Sequence, residues 1–326
     1  MKKAIVVSDI HVHNYKQFNA QGQRIAQSIK LINYIFRFAD KNEINLIMFC
    51  GDLFDKFEII SVLVINAVTA CFRENFEKYP GIEWLAISGN HDYATKNTIE
   101  SPGASGQYFL SDIFRNNYYL LDGGMMDDGE HYTIVTIPYF SNMDDFRKCM
   151  KINYPPFTRE NLYLMMHQTV WPENPMVPND IEPDDSIFDP FTQIFNGHIH
   201  HPASITEKFI NVGSPIHRDA GDVGIRKGFW VVDLADSNVI PAFWDLTDKY
   251  PQYIRKPYGT PVNEWEAQQY IVWYHPEDMK KAVKQDFDSA KFASDLTPKE
   301  LVTNYCKEVI PNDNDKLKAG LKLIEP

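Results

Sequence analysis

The stretch Ala4-Ile5-Val6-Val7-Ser8-Asp9-Ile10-His11-Val12-His13 decides how the rest of the chain is read. Its first half is short, apolar and rich in β-branched residues, the composition of a buried strand. It is too short for the apolar segment of a secretory signal and it ends in an acid, so it reads as the first strand of the fold. Its second half sets a carboxylate and two imidazoles, Asp9, His11 and His13, just past that strand. The pattern then recurs. Gln23–Lys41 carries Ile25, Ile29, Ile32, Ile35 and Phe36 at helical spacing. Asn45–Cys50 is a second buried strand with Gly51-Asp52-Leu53-Phe54-Asp55 at its end. Ser61–Tyr79 reads as a helix stopped before Pro80-Gly81, and Glu83–Ser88 as a third strand followed by Gly89-Asn90-His91-Asp92. Strand–helix units in succession predict an α/β fold, and in such sheets ligands bind beyond the carboxyl ends of the strands. Each polar cluster sits at such an end.

The later sequence predicts more strands than helices. Tyr118–Leu121 and Tyr132–Pro138 read as strands separated by the hairpin-like acidic stretch Gly123–Glu130, and Asp144–Lys151 as a helix. Leu162–Met166 is a strand ending in His167-Gln168, and the Pro- and Asp-rich run Trp171–Asp189 reads as a rim or lid. The apolar run Phe191–Phe195 leads into Asn196-Gly197-His198-Ile199-His200, where the glycine lets the backbone turn sharply. Phe209–Gly213, Lys227–Leu234 and its hairpin partner Val239–Asp245 complete a set that predicts a second sheet packed on the first. Beyond Leu246 the chain turns basic and aromatic over Lys249–Tyr258, with a short strand at Tyr270–Tyr274 and a short helix at Pro276–Gln285. A further helix starts at Thr297-Pro298, with a cap residue and a proline at its first position.

The 326 residues suffice for one large domain and a small one. With 44 Asp+Glu against 32 Lys+Arg, a general basic field for nucleic acid is excluded, so any polyanion must be met by bound cations or local basic patches. Cys50, Cys71, Cys149 and Cys306 are far apart, with no C-x-x-C pair, as expected of ordinary thiols in a reducing compartment. No apolar run has the length of a membrane span.

Asp9, His11, Asp52, Asn90, His167, His198 and His200 are all oxygen or imidazole donors at predicted strand ends. Each alone has an ordinary reading: helix caps for the aspartates, a turn residue for Asn90, a core histidine for His167. Their recurrence at successive strand ends does not. Carboxylate with imidazole suits Mn, Fe or Zn, whereas Mg takes mostly oxygen. The set is large enough for two ions sharing one carboxylate, the arrangement that clamps a phosphoryl displacement.

Taken in order, Asp-x-His, Gly-Asp-x-x-Asp, Gly-Asn-His-Asp, a lone histidine after a strand and Gly-His-x-His resemble the calcineurin-like metallophosphoesterase superfamily. The resemblance implies a four-layer αββα sandwich of two mixed sheets. It implies that Asp9, His11, Asp52 and His200 hold one divalent ion and that Asp52, Asn90, His167 and His198 hold the other, with Asp52 bridging. His91 would stabilise or protonate the leaving oxygen, and Asp55 would orient His91. The implied ion is Mn2+, with Mg2+ or Fe2+ as alternatives.

Within the superfamily, Asn211-Val212-Gly213-Ser214-Pro215 and Arg226-Lys227-Gly228-Phe229-Trp230-Val231-Val232-Asp233 resemble the SbcD-type DNA-repair nucleases, most of all their phage-encoded recombination endonuclease subunits. That implies hydrolysis of DNA phosphodiesters by a metal-activated water, exonuclease action on duplex ends and endonuclease action on single strands and hairpins. It also implies a homodimer, through helices near Ser61–Phe76 and Tyr108–Phe114, within a heterotetramer with an SbcC-type SMC-like coiled-coil ATPase in the bacterial cytoplasm. The expected division is a catalytic domain over 1–246, a small DNA-facing cap over 247–286 and a C-terminal helical segment over 287–326. In that segment Thr297–Ile310 would dock on the ATPase. Expected DNA contacts are His13, Arg218, Arg226, Lys227, Arg255 and Lys256, with His13 standing where that group has a small residue. The competing expectations are another metallophosphoesterase, acting on a nucleotide or a phosphoprotein, and a non-catalytic scaffold, which would have lost ligands.

Overall fold

The computed structural model describes residues 2–15, 23–55, 59–93, 105–153, 161–170 and 182–275. The chain divides into two compact units, one of residues 1–254 with 263–271, the other of 255–262 with 272–326.

The first unit holds two six-stranded sheets. In one, β1 (Lys3–Val7), β2 (Leu46–Phe49), β3 (Glu83–Ala86) and β4 (Tyr118–Leu120) run parallel. In the other, β5 (Gly124–Asp127), β6 (Thr133–Ile137), β7 (Leu162–Met166), β8 (Gln193–Asn196), β9 (Ala203–Ser204) and β10 (Phe209–Asn211) stand in the order β5-β6-β7-β8-β10-β9, parallel except at the two edges. The first sheet is completed by β11 (Gly228–Asp233), antiparallel to β1, and by β12 (Ala242–Asp245), antiparallel to β11. Helices α1 (Arg24–Lys41), α2 (Val62–Lys78), α3 (Tyr108–Ile113) and α4 (Met143–Asn153) flank the sheets. The Ser61 hydroxyl caps α2 by accepting from Val64 N–H at 3.3 Å.

Strand alternation sorts these side chains into layers. Ile5, Val7, Ile47, Phe49, Trp84 and Ala86 pack with Ile35 and Phe36 of α1 and Val68 and Phe72 of α2. The intervening residues Ala4, Val6, Leu46, Met48 and Leu85 pack instead against Ile134, Tyr163, Met165, Phe195 and Ile210 of the second sheet. The other face of that sheet, with Val135, Ile137, Leu164, Met166 and Ile194, packs on Phe146 and Met150 of α4. Helix, sheet, sheet and helix give the expected four-layer α/β sandwich of two mixed sheets. The central strands are covered on both faces, so they read as unbroken apolar runs instead of alternating ones.

Two features depart from the sequence reading. The acidic stretch between β4 and β6 contains a strand of its own, β5, paired antiparallel to β6. The Asp128 carboxylate builds the turn, accepting from the N–H groups of Glu130, His131 and Tyr132 at 3.0, 2.6 and 2.9 Å. β4 and β6 also lie in different sheets, because β4 continues the parallel order of β3 while β6 pairs with β7. Of the Pro- and Asp-rich run, 171–181 lies outside the described residues, and the remainder includes a short 3-10 turn at Ser186–Phe188. The expected helices at Pro276–Gln285 and Thr297–Ile310 also lie outside them.

β13 (Tyr253–Pro257) and β14 (Tyr270–Tyr274) form a separate two-stranded sheet. In the second unit the Tyr258 ring meets those of Trp273 and His275, with centroids 6.2 and 5.0 Å apart. Among the described residues no helix is long and apolar enough to cross a membrane.

Candidate metal centre

β1, β2, β3, β7 and β8 all end at one edge of the sandwich, and the candidate donors meet there. Asp9, His11, Asp52 and His198 all have positive φ, at 55°, 50°, 58° and 74°. Glu43 is the one other non-glycine residue with positive φ among those described. Left-handed backbone costs a side-chain-bearing residue free energy, so its concentration at these positions marks a site the surrounding fold holds in place. The glycines serve a different need. A Cβ on Gly197 would sit 2.2 Å from the Cys50 carbonyl, and one on Gly89 would sit 2.1 Å from Asp52 Oδ1. Only glycine lets these loops close on each other.

The donor atoms form a continuous chain. Asp9 Oδ1 is 3.7 Å from His11 Nε2 and 3.7 Å from His200 Nε2, and the two nitrogens are 3.1 Å apart. Asp52 Oδ2 lies 3.6 Å from His11 Nε2 and 3.4 Å from His167 Nε2. Asn90 Oδ1 lies 3.1 Å from His167 Nε2 and 2.9 Å from His198 Nδ1. Asp9, His11 and His200 thus gather on one side, His167, Asn90 and His198 on the other, and the Asp52 carboxylate stands between. Asp52 Oδ1 accepts the His91 main-chain N–H at 2.8 Å, which leaves Oδ2 as the oxygen shared by the two sides.

Three observations show that this cradle fits cations. Both carboxylate oxygens of Asp9 are buried without a hydrogen-bond partner among the described residues, an arrangement that is costly unless a cation meets them. His11 and His200 turn ring nitrogens toward each other 3.1 Å apart, close enough for both to reach one ion. The remote ring nitrogens have partners that set the tautomers: His167 Nδ1–H donates to the Cys50 carbonyl at 2.7 Å, and His198 Nε2 meets Thr169 Oγ1 at 2.9 Å. Ligating histidines are oriented in this way. Groups of donors close enough for one ion are Asp9, His11 and His200; Asp9, Asp52 and His167; and His11, Asp52 and His91, each within 4.8 Å of one another.

Burial, helped by Arg218, holds His11 well below the ordinary histidine range and His200 at about 3, and burial likewise brings His198 to about 3. These rings are neutral, the form that binds metal. Burial works the same way on His167, but the Asp52 carboxylate outweighs it and lifts the ring to about 9. Asp52 lies well below the usual carboxylate range because His167 outweighs its own burial. Burial lifts Asp9 to about 6.

His91 and Asp55 are related differently from expectation. It is the main-chain carbonyl of Asp55 that meets His91 Nδ1, at 2.8 Å. The Asp55 carboxylate is 3.0 Å from His11 Nδ1 and 3.0 Å from Arg218 Nη2. The loop after β2 turns the side chain toward β1 and leaves its carbonyl toward β3. The His91 ring stands edge-on to His11, centroids 5.0 Å apart.

The expected DNA contacts scatter. Lys227 is a correction: it is 1% exposed, and its Nζ donates to Asp222 Oδ1, Ser214 Oγ and the His200 carbonyl at 2.5, 2.7 and 2.8 Å. Its neighbour Arg226 is exposed, paired with Asp245 at 2.8 Å. Arg218 enters the metal centre, its guanidinium 3.1 Å from His200 Nε2. His13 is buried and stacked on Tyr15 with centroids 3.9 Å apart, and with Asp55 it lines a cavity of about 170 Å³. Arg255 is exposed and Lys256 half-buried on β13.

Sequence reasoning passed over two buried supports. The Asp92 carboxylate accepts from Asp52 N–H, Gly89 N–H and Gln107 Nε2 at 2.8, 2.9 and 2.6 Å and from Phe54 N–H at 3.1 Å, tying two ligand loops together. The Arg24 guanidinium, at the start of α1, donates to the carbonyls of Ile10, His11 and His217 at 2.7, 3.2 and 3.0 Å. For Asp92 the signal was its place in Gly-Asn-His-Asp; for Arg24 none was legible.

An α/β sandwich with carboxylates and imidazoles gathered at its strand ends is the arrangement expected of a metal-dependent phosphoester hydrolase. The chain belongs to the calcineurin-like phosphoesterase family, whose pattern matches residues 2–202, and which works through a dimetal centre. Among solved structures it is similar to a dimetal phosphatase from Danio rerio, at 10% identity over 72% of this chain and 93% of that one with a TM-score of 0.41. It is also similar to the nuclease MPE of Pseudomonas putida, at 10% identity over 73% and 87% with a TM-score of 0.29.

Proposed function

We propose that the chain is a metal-dependent DNA nuclease, the catalytic subunit of an SbcCD-like repair or recombination complex. One observation carries the step from phosphoesterase to nuclease. The two motifs that resemble SbcD-type enzymes are bonded to the metal loop itself: Ser214 N–H donates to the His200 carbonyl at 3.1 Å and Lys227 Nζ donates to it at 2.8 Å. The segment that distinguishes this group is part of the construction of the site.

In this reading Asp9, His11, Asp52 and His200 hold one ion and Asp52, Asn90, His167 and His198 the other. Bound divalent ions supply charge neutralisation for the phosphate and lower the pKa of water. Manganese suits the imidazole-rich donor set better than magnesium. His91, pinned through Nδ1 by the Asp55 carbonyl, stabilises or protonates the leaving oxygen. Arg218 adds a fixed positive charge beside His200, which an acidic chain handling a polyanion needs locally. The exposed Arg226 and Arg255 and the half-buried Lys256 are further candidate contacts to the DNA backbone. The partner is a coiled-coil ATPase of the SbcC type, docked through the C-terminal segment, with two copies of this chain in the assembly.

The test is cleavage of an end-labelled duplex and a hairpin with Mn2+ or Mg2+, with and without a coiled-coil ATPase from the same genome. Mn2+-dependent cutting of both substrates is expected. Turnover of a small chromogenic phosphodiester with no cut in any DNA would sink the nuclease reading and leave a phosphoesterase of another substrate class.

A further inference from the structure

We propose that the buried Asp222–Lys227 ion pair is a positioning device for the half of the metal centre built on His200. The inference rests on the dimetal reading of the site and assigns a role to residues outside the ligand set.

Lys227 stands immediately before β11, yet its ammonium runs inward. All three of its N–H bonds are used: on Asp222 Oδ1, on Ser214 Oγ and on the His200 carbonyl, at 2.5, 2.7 and 2.8 Å. The last of these is the main chain of a candidate ligand. Ser214 reinforces the same carbonyl, donating from N–H at 3.1 Å and from its hydroxyl at 3.3 Å. The other oxygen of Asp222 accepts from Arg218 N–H at 2.6 Å and from Asp219 N–H at 3.4 Å, closing a capping box on the short turn Ala220–Asp222. One carboxylate and one ammonium therefore hold the backbones of His200 and Arg218. Their side chains in turn meet over the centre, with Arg218 Nη1 3.4 and 3.1 Å from the two ring nitrogens of His200.

Stability alone does not account for this pair. Replacing a buried ion pair by apolar residues of similar volume is often neutral or stabilising. What an apolar pair cannot do is direct three hydrogen bonds at fixed angles. Without them the His200 carbonyl keeps only Ser214, and the Arg218 turn loses the Asp222 half of its capping box. His198, on the same loop, is held independently through Thr169 and Asn90. The device therefore acts on one metal position and spares the other.

The experiment uses the full-length chain and manganese. Wild type, Lys227→Met and the double variant Lys227→Met/Asp222→Leu are first compared for folding by circular dichroism and thermal melting. Manganese binding is then measured by calorimetry and by electron paramagnetic resonance. Wild type should bind two ions and give the spectrum of an exchange-coupled pair. The double variant should melt at or above the wild-type temperature, yet bind one of the two ions roughly tenfold or more weakly, as loss of a partner that orients a ligand does. At one equivalent the other ion should bind within about twofold of wild type and give an uncoupled six-line spectrum. Lys227→Met alone should show the same metal defect on a less stable chain, and if it fails to fold the double variant decides. Two wild-type ions in the double variant, or equal weakening of both, overturns the proposal. Failure of wild type to bind two ions overturns it together with the dimetal reading. Wild type that binds two ions but cuts no DNA removes the nuclease and leaves the device standing.

Discussion

The Asp55 carboxylate lies 3.0 Å from Nδ1 of His11. It places a negative charge beside one ring nitrogen while the other, Nε2, faces Asp9 and Asp52 at 3.7 and 3.6 Å. The main-chain carbonyl of the same residue holds His91. Asp55 thus brings its carboxylate charge to a candidate ligand and its backbone carbonyl to a candidate general acid.

Asp55→Ala is accordingly expected to act on metal binding. The fall in manganese affinity should be about 10–100-fold, the usual effect of removing a carboxylate that supports a ligating imidazole from behind. Calorimetric titration checks it. An unchanged affinity with a lower turnover would return Asp55 to the role of His91's orienter alone.

His91→Asn should separate chemistry from metal binding. The contacts of His91 include the Asp55 carbonyl, Asp52 Oδ1 and the edge of His11. Turnover of a phosphodiester should fall about 10²–10⁴-fold, the range for loss of a general acid. Two manganese ions per chain should remain by elemental analysis. A variant that loses an ion would make His91 a ligand.

The metal-free site has a defined pH response. The Asp52 carboxylate outweighs burial and raises His167 to about 9. A histidine raised above its unfolded value of about 6.5 stabilises the fold fully below about 6.5, and the effect is lost as pH climbs through the folded value. The metal-free chain should therefore melt at progressively lower temperature from about pH 6.5 to about 9. Over the same window manganese should displace a proton from His167, so its affinity should rise with pH. Calorimetry in buffers of different ionisation heat reads that proton directly. A metal-free melting temperature that stays flat over this window would sink the assignment.

Gly197→Ala should damage the fold as well as the site. The added Cβ would lie 2.2 Å from the Cys50 carbonyl, 2.4 Å from Ser8 Oγ and 2.6 Å from His167 Nδ1, and all three atoms belong to other strand ends. A loss of about 1–3 kcal/mol or more is expected from overpacking of this kind, read by urea unfolding. Wild-type stability would mean that the His198 loop can move aside.

Much of the centre was written in the sequence. Short apolar runs ending in Asp9, Asp52, Asn90 and His167, and in His198 with His200, marked both the strands and the edge where they converge. This works because a parallel sheet buried on both faces forces its strands to be apolar and puts its ligands at their carboxyl ends. The helices α1 and α2 were legible for the complementary reason, an apolar stripe on one side.

What only the tertiary structure decided is which neighbour each polar group meets. Arg226 and Lys227 are adjacent and alike in sequence, yet one is exposed on Asp245 and the other is buried under His200. Local pattern cannot tell them apart, because the acceptors that make burial of an ammonium tolerable are the carbonyl of His200 on another loop and Ser214 and Asp222, earlier in the connection from β10 to β11. The same holds for Asp55, whose carboxylate approaches His11 and Arg218 while its carbonyl meets His91. It holds for β4 and β6, which follow one another in the chain but belong to different sheets. Donor types and their strand ends follow from composition and periodicity; their pairing follows from the sandwich that brings the loops together.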